Sequence, residues 1–234
     1  MKAKVLPFFS AAVVIPVFNE RSSLPLVVKD IPRELVREIV VVDNGSTDGT
    51  DLVARGLSVR LVREERKGYG SACLAGIASL EADPPEVVVF LDGDYSDHPE
   101  EMPLLLGGIG AGADLVIGSR TLGAREPGAL LPQARFGNLL ACFLIQLLYG
   151  HRYTDLGPFR AIRWEALRRL EMRDTNFGWT CEMQVKALRR GLRVAEVPVS
   201  YRRRVGVSKI TGTVSGTLRA GHKILWTIAK YSLR

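Results

Sequence analysis

The chain has 234 residues, 47% hydrophobic and 24% charged, which suits one large domain, or one domain with a tail, and excludes collagen, coiled-coil and broadly disordered architectures. Its formal net charge of +7 is uneven: residues 160–234 hold 17 Lys or Arg against five Asp or Glu, leaving 15 basic and 20 acidic residues in 1–159. That asymmetry points the basic region at something anionic, whether nucleic acid, a phosphorylated substrate or a membrane.

Lys2 and Lys4 precede an apolar run over 5–18 that imitates a signal peptide. Pro7 and Pro16 interrupt it, and it ends in Asn19-Glu20-Arg21, so a buried first strand over 11–17 accounts for it better. Further Val- and Ile-rich runs predict strands over 38–42, 59–62, 87–91 and 115–117. They lack alternation, as strands covered on both faces do. Helices are predicted between them over 24–29, 50–55, 69–81 and 98–107. Alternation of this kind implies a largely parallel sheet with right-handed crossovers and ligands at the carboxyl ends of strands.

The second half is less regular. Residues 118–135, rich in Gly, Pro and charge, read as a long loop, followed by helices over 136–149 and 180–190 and a strand over 193–201. Within 139–149 only Gln146 is polar, too short a run to span a bilayer; it suits a core helix or an interfacial one. On a helical wheel of the C-terminus, Arg219, Lys223, Lys230 and Arg234 gather on one side. Leu218, Ile224, Leu225, Ile228 and Tyr231 gather on the other, with Trp226 near the boundary, the pattern of a helix lying in a membrane interface. Cys73, Cys142 and Cys181 are odd in number and far apart, which predicts neither a disulfide framework nor a zinc site and reads as a reduced, intracellular chain.

Three segments follow strands: Ile15-Pro16-Val17-Phe18-Asn19-Glu20, Val42-Asp43-Asn44-Gly45-Ser46-Thr47-Asp48-Gly49-Thr50, and Phe90-Leu91-Asp92-Gly93-Asp94-Tyr95. Parallel strands would bring all three to one sheet edge. Asp92-Gly93-Asp94 offers two carboxylates at one rim, the donor set that Mg²⁺ or Mn²⁺ takes together with substrate phosphates. A lone Asp-Gly-Asp also makes an ordinary turn. Capping explains Ser46, Thr47 and Asp48 but not Asp43, whose place at a strand end suits hydrogen bonds to a base or ribose. Lys67-Gly68-Tyr69-Gly70 puts a cation and a glycine turn before a helix.

Together these segments resemble glycosyltransferase family 2, with its GT-A fold. VVIPVFNE, VVDNGSTDGT, KGYGSACLAGI, VVVFLDGDYSDHPEE and ADLVIGSR carry the likeness in order and spacing. Thr154-Asp155-Leu156-Gly157-Pro158-Phe159-Arg160 and Arg203-Arg204-Val205-Gly206-Val207-Ser208-Lys209 extend it, over about residues 11–212, to the dolichyl-phosphate mannosyl- and glucosyltransferases and their bacterial polyprenyl-phosphate relatives.

The resemblance implies a Rossmann-like α/β GT-A domain over 1–212, with a mostly parallel mixed sheet flanked by helices on both faces, and an amphipathic helix over 213–234. It implies hexose transfer from a nucleotide sugar of the UDP-glucose or GDP-mannose class to a lipid-linked polyprenyl phosphate. The enzyme would sit peripherally at a cytoplasmic membrane face. Pro16, Phe18, Glu20, Asp43, Lys67 and Gly68 would bind the donor, and Asp92 and Asp94 the Mg²⁺ or Mn²⁺. Arg120, Arg203, Ser208 and Lys209 would take the acceptor phosphate. Asp155, near the donor sugar, and Glu182, where family members acting on hydroxyls keep an acidic base, are the catalytic candidates. Relatives often place Gln two residues after the second Asp as a further metal ligand; Ser96 stands there, with Asp97 beside it. TDLGPFR likewise departs from the commoner Ser-Gly-Phe-Arg.

Two rivals follow: a family 2 enzyme that glycosylates a small-molecule or saccharide hydroxyl, and a non-catalytic nucleotide-sugar-binding protein. The intact Asp92/Asp94 pair argues against the second. Nucleic-acid binding is not expected, because the basic region holds no recognition module.

Overall fold

The structure, a computed structural model, describes residues 9–206 and 214–232. Near the middle of its sheet lies β1, Ala11–Val17, buried along its whole length. Parallel neighbours flank it: β2, Glu38–Asp43, on one side and β4, Val87–Phe90, on the other. The seven-stranded sheet adds β3 (Arg60–Arg63), β5 (Leu115–Ser119), β6 (Arg160–Arg163) and β7 (Val194–Pro198), in the order β3-β2-β1-β4-β6-β5-β7. All pairings are parallel except those of β6, which runs antiparallel to both β4 and β5.

Side chains alternate across the sheet, and in β1, β2, β4 and β5 both sets are buried, so these strands read as nearly continuous apolar runs. Ala12, Val14, Val40, Val42, Val88 and Phe90 face one core layer. It is covered by α3 (Tyr69–Ser79), α5 (Pro132–Tyr149), α6 (Trp164–Leu170) and α7 (Trp179–Arg189). Val13, Ile15, Ile39, Val41 and Val89 face the other. That layer is covered by α1 (Leu24–Asp30), α2 (Thr50–Arg55) and α4 (Met102–Gly110). Trp179 is fully buried and meets Phe90 edge-on, with ring centroids 4.7 Å apart.

Several boundaries differ from the sequence reading, three of them at prolines or by several residues. A 3-10 turn, Pro99–Glu101, precedes α4 where one helix over 98–107 was expected; Pro99 and Pro103 restrict both starts. Helix α5 begins at Pro132 rather than at 136, with proline in its first turn, where no N–H is needed. Strand β7 ends at Pro198, short of 201. The loop expected over 118–135 is otherwise present, but β6 and α6 had no counterpart in that reading.

The C-terminal helix α8, Val214–Ser232, packs against α5 and α7. Ile224 and Tyr231 pack on the core and Ile228 is buried in it. Tyr149 Oη donates to Ile228 O at 2.8 Å. Much of the apolar stripe predicted to lie in a membrane is thus covered by the domain itself. Leu225 and Trp226 remain exposed. Among the described residues, no helix is long and apolar enough to cross a membrane.

Candidate active site

The parallel register sets Val17 opposite Asp43 and Val14 opposite Phe90, so β1, β2 and β4 end on one edge. A cavity of about 350 Å³ opens there. Its walls include Pro16, Phe18, Glu20, Lys67, Gly68, Asp92 and Asp94, all but one of the donor and metal candidates. The exception is Asp43: it caps the following turn, accepting the Ser46 N–H at 3.1 Å, and Asn44 lines the cavity in its place.

Asn44 ties the near wall together. Its Oδ1 accepts Gly68 N–H at 2.8 Å, and its Nδ2 donates to Glu64 O and Arg66 O, each at 2.9 Å. Lys67 Nζ donates to Asn44 O and Gly45 O and lies 4.4 Å from the centre of the Phe18 ring. An ammonium and an aromatic face at a cavity mouth suit a flat, anionic ligand.

The far wall is acidic. Asp94 Oδ1 accepts Ser96 N–H and Oγ–H, and Asp94 Oδ2 is 2.8 Å from Arg204 Nη2, which also approaches Glu20 Oε1 at 3.5 Å. Asp92 Oδ1 and Asp97 Oδ1 are buried with no hydrogen-bond partner. Burial and the neighbouring Asp94 push the Asp92 carboxyl up to about 7. Burial, then Asp92 and Asp94, raise Asp97 well above the usual carboxylate range. Carboxylate oxygens left unpaired in a buried site lack a cation or a proton. The backbone here is held in an unusual shape: Tyr95 has φ +67°, with its hydroxyl donating to Asp30 at 2.6 Å and Arg202 stacked 3.5 Å from its ring centre.

The two candidate bases are placed otherwise. Asp155 is fully buried and grips Arg120 with both oxygens, accepting Nε and Nη2 at 2.7 Å and the backbone N–H at 2.8 Å. Arg120 in turn stands within electrostatic reach of Asp92 and Asp97. Glu182 is also fully buried and does not line the cavity. It accepts Arg173 N–H at 3.0 Å, Asp174 N–H at 2.7 Å and the Tyr231 hydroxyl at 2.5 Å, and pairs with Lys186 at 2.8 Å. Burial pushes its carboxyl up, but these hydrogen bonds outweigh that and hold it below its ordinary 4.5. Every oxygen of both carboxylates already accepts at least one hydrogen bond, and neither residue lines the cavity.

Arg203, expected to hold an acceptor phosphate, is exposed and donates from Nε to Pro127 O at 2.7 Å. Its neighbour Arg204 reaches the cavity instead. Ser208 and Lys209 lie outside the described residues. A second cavity, of about 650 Å³, lies between the 121–135 segment and α5. Arg125, Arg135 and Arg152 line it beside Leu130, Phe136 and Phe143. Asn44, Asn176 and Phe177, all in the first cavity's wall, escaped the sequence reading. Asn44 adjoins Asp43, and Arg204, which belongs to the arginine cluster expected to cradle the acceptor phosphate, lines this cavity instead.

A mixed sheet with paired carboxylates at the end of β4, opening into a ligand-sized cavity, defines an α/β transferase of the GT-A type. The model of glycosyl transferase family 2 matches residues 12–171, and the chain belongs to that family. An uncharacterized glycosyltransferase of Mycobacterium tuberculosis is 37% identical over 90% of this chain and 94% of its own. The polyprenol monophosphomannose synthase of Mycolicibacterium smegmatis is 33% identical over 90% of this chain and 84% of its own. Among solved structures, glucosyl-3-phosphoglycerate synthase from M. tuberculosis, in complex with Mn²⁺, UDP and glucosyl-3-phosphoglycerate, superposes with a TM-score of 0.76. That match has 24% identity and covers 95% of this chain and 80% of the other; it shares the fold.

Proposed function

We propose that this enzyme transfers a hexose from a nucleotide sugar to a polyprenyl phosphate, with Mg²⁺ or Mn²⁺ held by Asp92 and Asp94. The observation that carries the reading is that every oxygen of Asp155 and Glu182 is engaged away from the cavity. A sugar hydroxyl needs a general base as it attacks, and both candidate bases are fully engaged. A phosphate is already ionised near neutral pH and needs a cationic cradle instead. The mannose-transferring relative has a polyprenol product in its name, which supports the same acceptor class.

The donor set fits a hard divalent cation: the buried, unpartnered Asp92 Oδ1 and the Asp94 carboxylate are oxygen ligands of the required kind. Such a cation supplies charge neutralisation for a diphosphate leaving group. Pro16, Phe18, Glu20, Asn44, Lys67 and Gly68 enclose the nucleotide. Asp43 shapes the turn behind it.

For the acceptor, Arg125, Arg135 and Arg152 of the second cavity offer the cradle; Arg120, clamped by Asp155, and Arg203, bonded to Pro127, line neither cavity. The adjoining face of α5 exposes Phe136, Leu139, Phe143 and Leu147 at 68%, 69%, 57% and 67%. Their spacing makes one helical stripe, and its apolar side chains next to arginines match a lipid chain and its phosphate at a membrane surface. In this reading α5, more than α8, is the element that meets the bilayer.

The test screens UDP-glucose and GDP-mannose with Mn²⁺ for thermal stabilisation, then follows nucleoside diphosphate release. Release that rises when a short-chain prenyl phosphate is added supports the reading. Release that responds only to soluble hydroxyl acceptors hands it to the rival family 2 activity. No stabilisation and no release with any nucleotide sugar overturns it.

A further inference from the structure

The segment 173–178 leads into α7 and carries Asn176 and Phe177 into the wall of the first cavity. One side of it rests on the start of α3. Ser71 N donates to Thr175 O at 2.9 Å. A Cβ at Gly68 or Gly70 would strike the carbonyls of Thr175 and Asp174, so the close approach of the two segments depends on glycine.

The other side is held from α7 and α8. Glu182, on α7, accepts the backbone N–H groups of Arg173 and Asp174, at 3.0 and 2.7 Å. Tyr231, on α8, donates its hydroxyl to the same carboxylate at 2.5 Å. Lys223, also on α8, lies 2.9 Å from Asp174 Oδ2, while Asp174 Oδ1 accepts Asn176 N–H at 2.8 Å. Thr227 Oγ1 stands where a Cβ on Gly178 would sit. Glu182, Lys223 and Tyr231 do not line the cavity. A continuous chain of charge-assisted bonds therefore runs from α8 through Glu182 and Asp174 to the wall residue Asn176, next to Phe177.

We propose that α8 is a working part of the donor site: Glu182, Tyr231 and Lys223 are positioning residues that set affinity for a nucleoside diphosphate by holding Asn176 and Phe177 in its wall. This rests on reading the first cavity as the nucleotide site. It gives the buried Glu182 a job in donor binding in place of proton transfer. It also links the exposed Leu225 and Trp226 of α8 to that site, since whatever they touch bears on the helix that braces the wall.

The test is calorimetric titration of the full chain with UDP and with GDP, each with Mn²⁺. The variants are Tyr231→Phe, Lys223→Ala and Glu182→Gln, with Trp226→Ser, at an exposed position of the same helix, as a tail control. Loss of one such bond should weaken nucleotide binding by roughly three- to tenfold. The Michaelis constant for donor should rise in step while that for acceptor stays put, a split that general loosening of the fold does not produce. Trp226→Ser should bind as the parent does. Folded Tyr231→Phe and Lys223→Ala proteins that bind nucleotide as tightly as the parent would overturn the proposal. If the parent itself binds neither nucleotide, the cavity reading fails, and the coupling falls with it.

Discussion

The molecule buries two sets of carboxylates, and they differ in one respect. Asp92 and Asp97, at the end of β4, each keep an unpartnered oxygen, and burial raises both. Asp155 and Glu182 have every oxygen engaged. Burial alone therefore does not mark chemistry. An unsatisfied lone pair is kept at a cost that only a ligand or proton removes, whereas Asp155 and Glu182, satisfied and off the cavity wall, are scaffold; Asp94 has partners in Ser96 and Arg204 but lines the cavity. The comparison can be broken wherever a scaffold carboxylate controls chemistry, or a rim carboxylate controls stability.

The largest effect is expected at Asp155. Asp155→Ala strands the Arg120 guanidinium, whose side chain is 13% exposed, and should lower stability by about 3–5 kcal/mol, read by denaturant titration. A loss of transfer with full stability would break the comparison. Next comes the rim. Asp92→Asn or Asp94→Asn should reduce transfer at least about a hundredfold, worth about 2.7 kcal/mol in the barrier. The melting temperature of Asp92→Asn should hold or rise, because the substitution removes a buried charge beside Asp94. EDTA should mimic the loss.

Asn44→Ala tests the wall between the two regions. It frees one N–H and two carbonyls and should cost about 1–3 kcal/mol of stability, while weakening nucleotide binding through Lys67 and Gly68. The smallest effect is pH-dependent. Glu182 is held below its ordinary 4.5, so the stability it contributes is fully present above that value and is lost as pH falls through the lower folded-state one. The gap in melting temperature between the parent and Glu182→Gln should shrink as the pH drops below 4.5.

Much of this was legible in the sequence, for physical reasons that stop at identifiable residues. Strands β1, β2, β4 and β5 announce themselves because nearly every position is buried and apolar, and the edge strand β3 shows through the run Val59, Leu61 and Val62. Strand β6 escapes because its four residues, Arg160 to Arg163, begin and end in arginine, and Arg160 is buried by donating to the carbonyls of Leu156, Gly157 and Thr180. The cavity wall was readable where it follows a strand, as at Pro16, Phe18 and Asp92. It was unreadable at Asn176 and Phe177, which no periodicity flags. Glu182 shows the limit most plainly: an acid at a family's base position and an acid bracing a helix look alike until the donors around it are seen.

The central claim is that an ionised phosphate, rather than a hydroxyl, receives the sugar. The most direct measurement incubates the enzyme with labelled UDP-glucose or GDP-mannose, Mn²⁺ and a short prenyl phosphate, then recovers the organic phase for mass analysis and mild acid. The account predicts a product heavier by one hexose that mild acid cleaves back to prenyl phosphate, as a glycosyl phosphate does. Label confined to a soluble, acid-stable glycoside, with none on the prenyl phosphate, would contradict it.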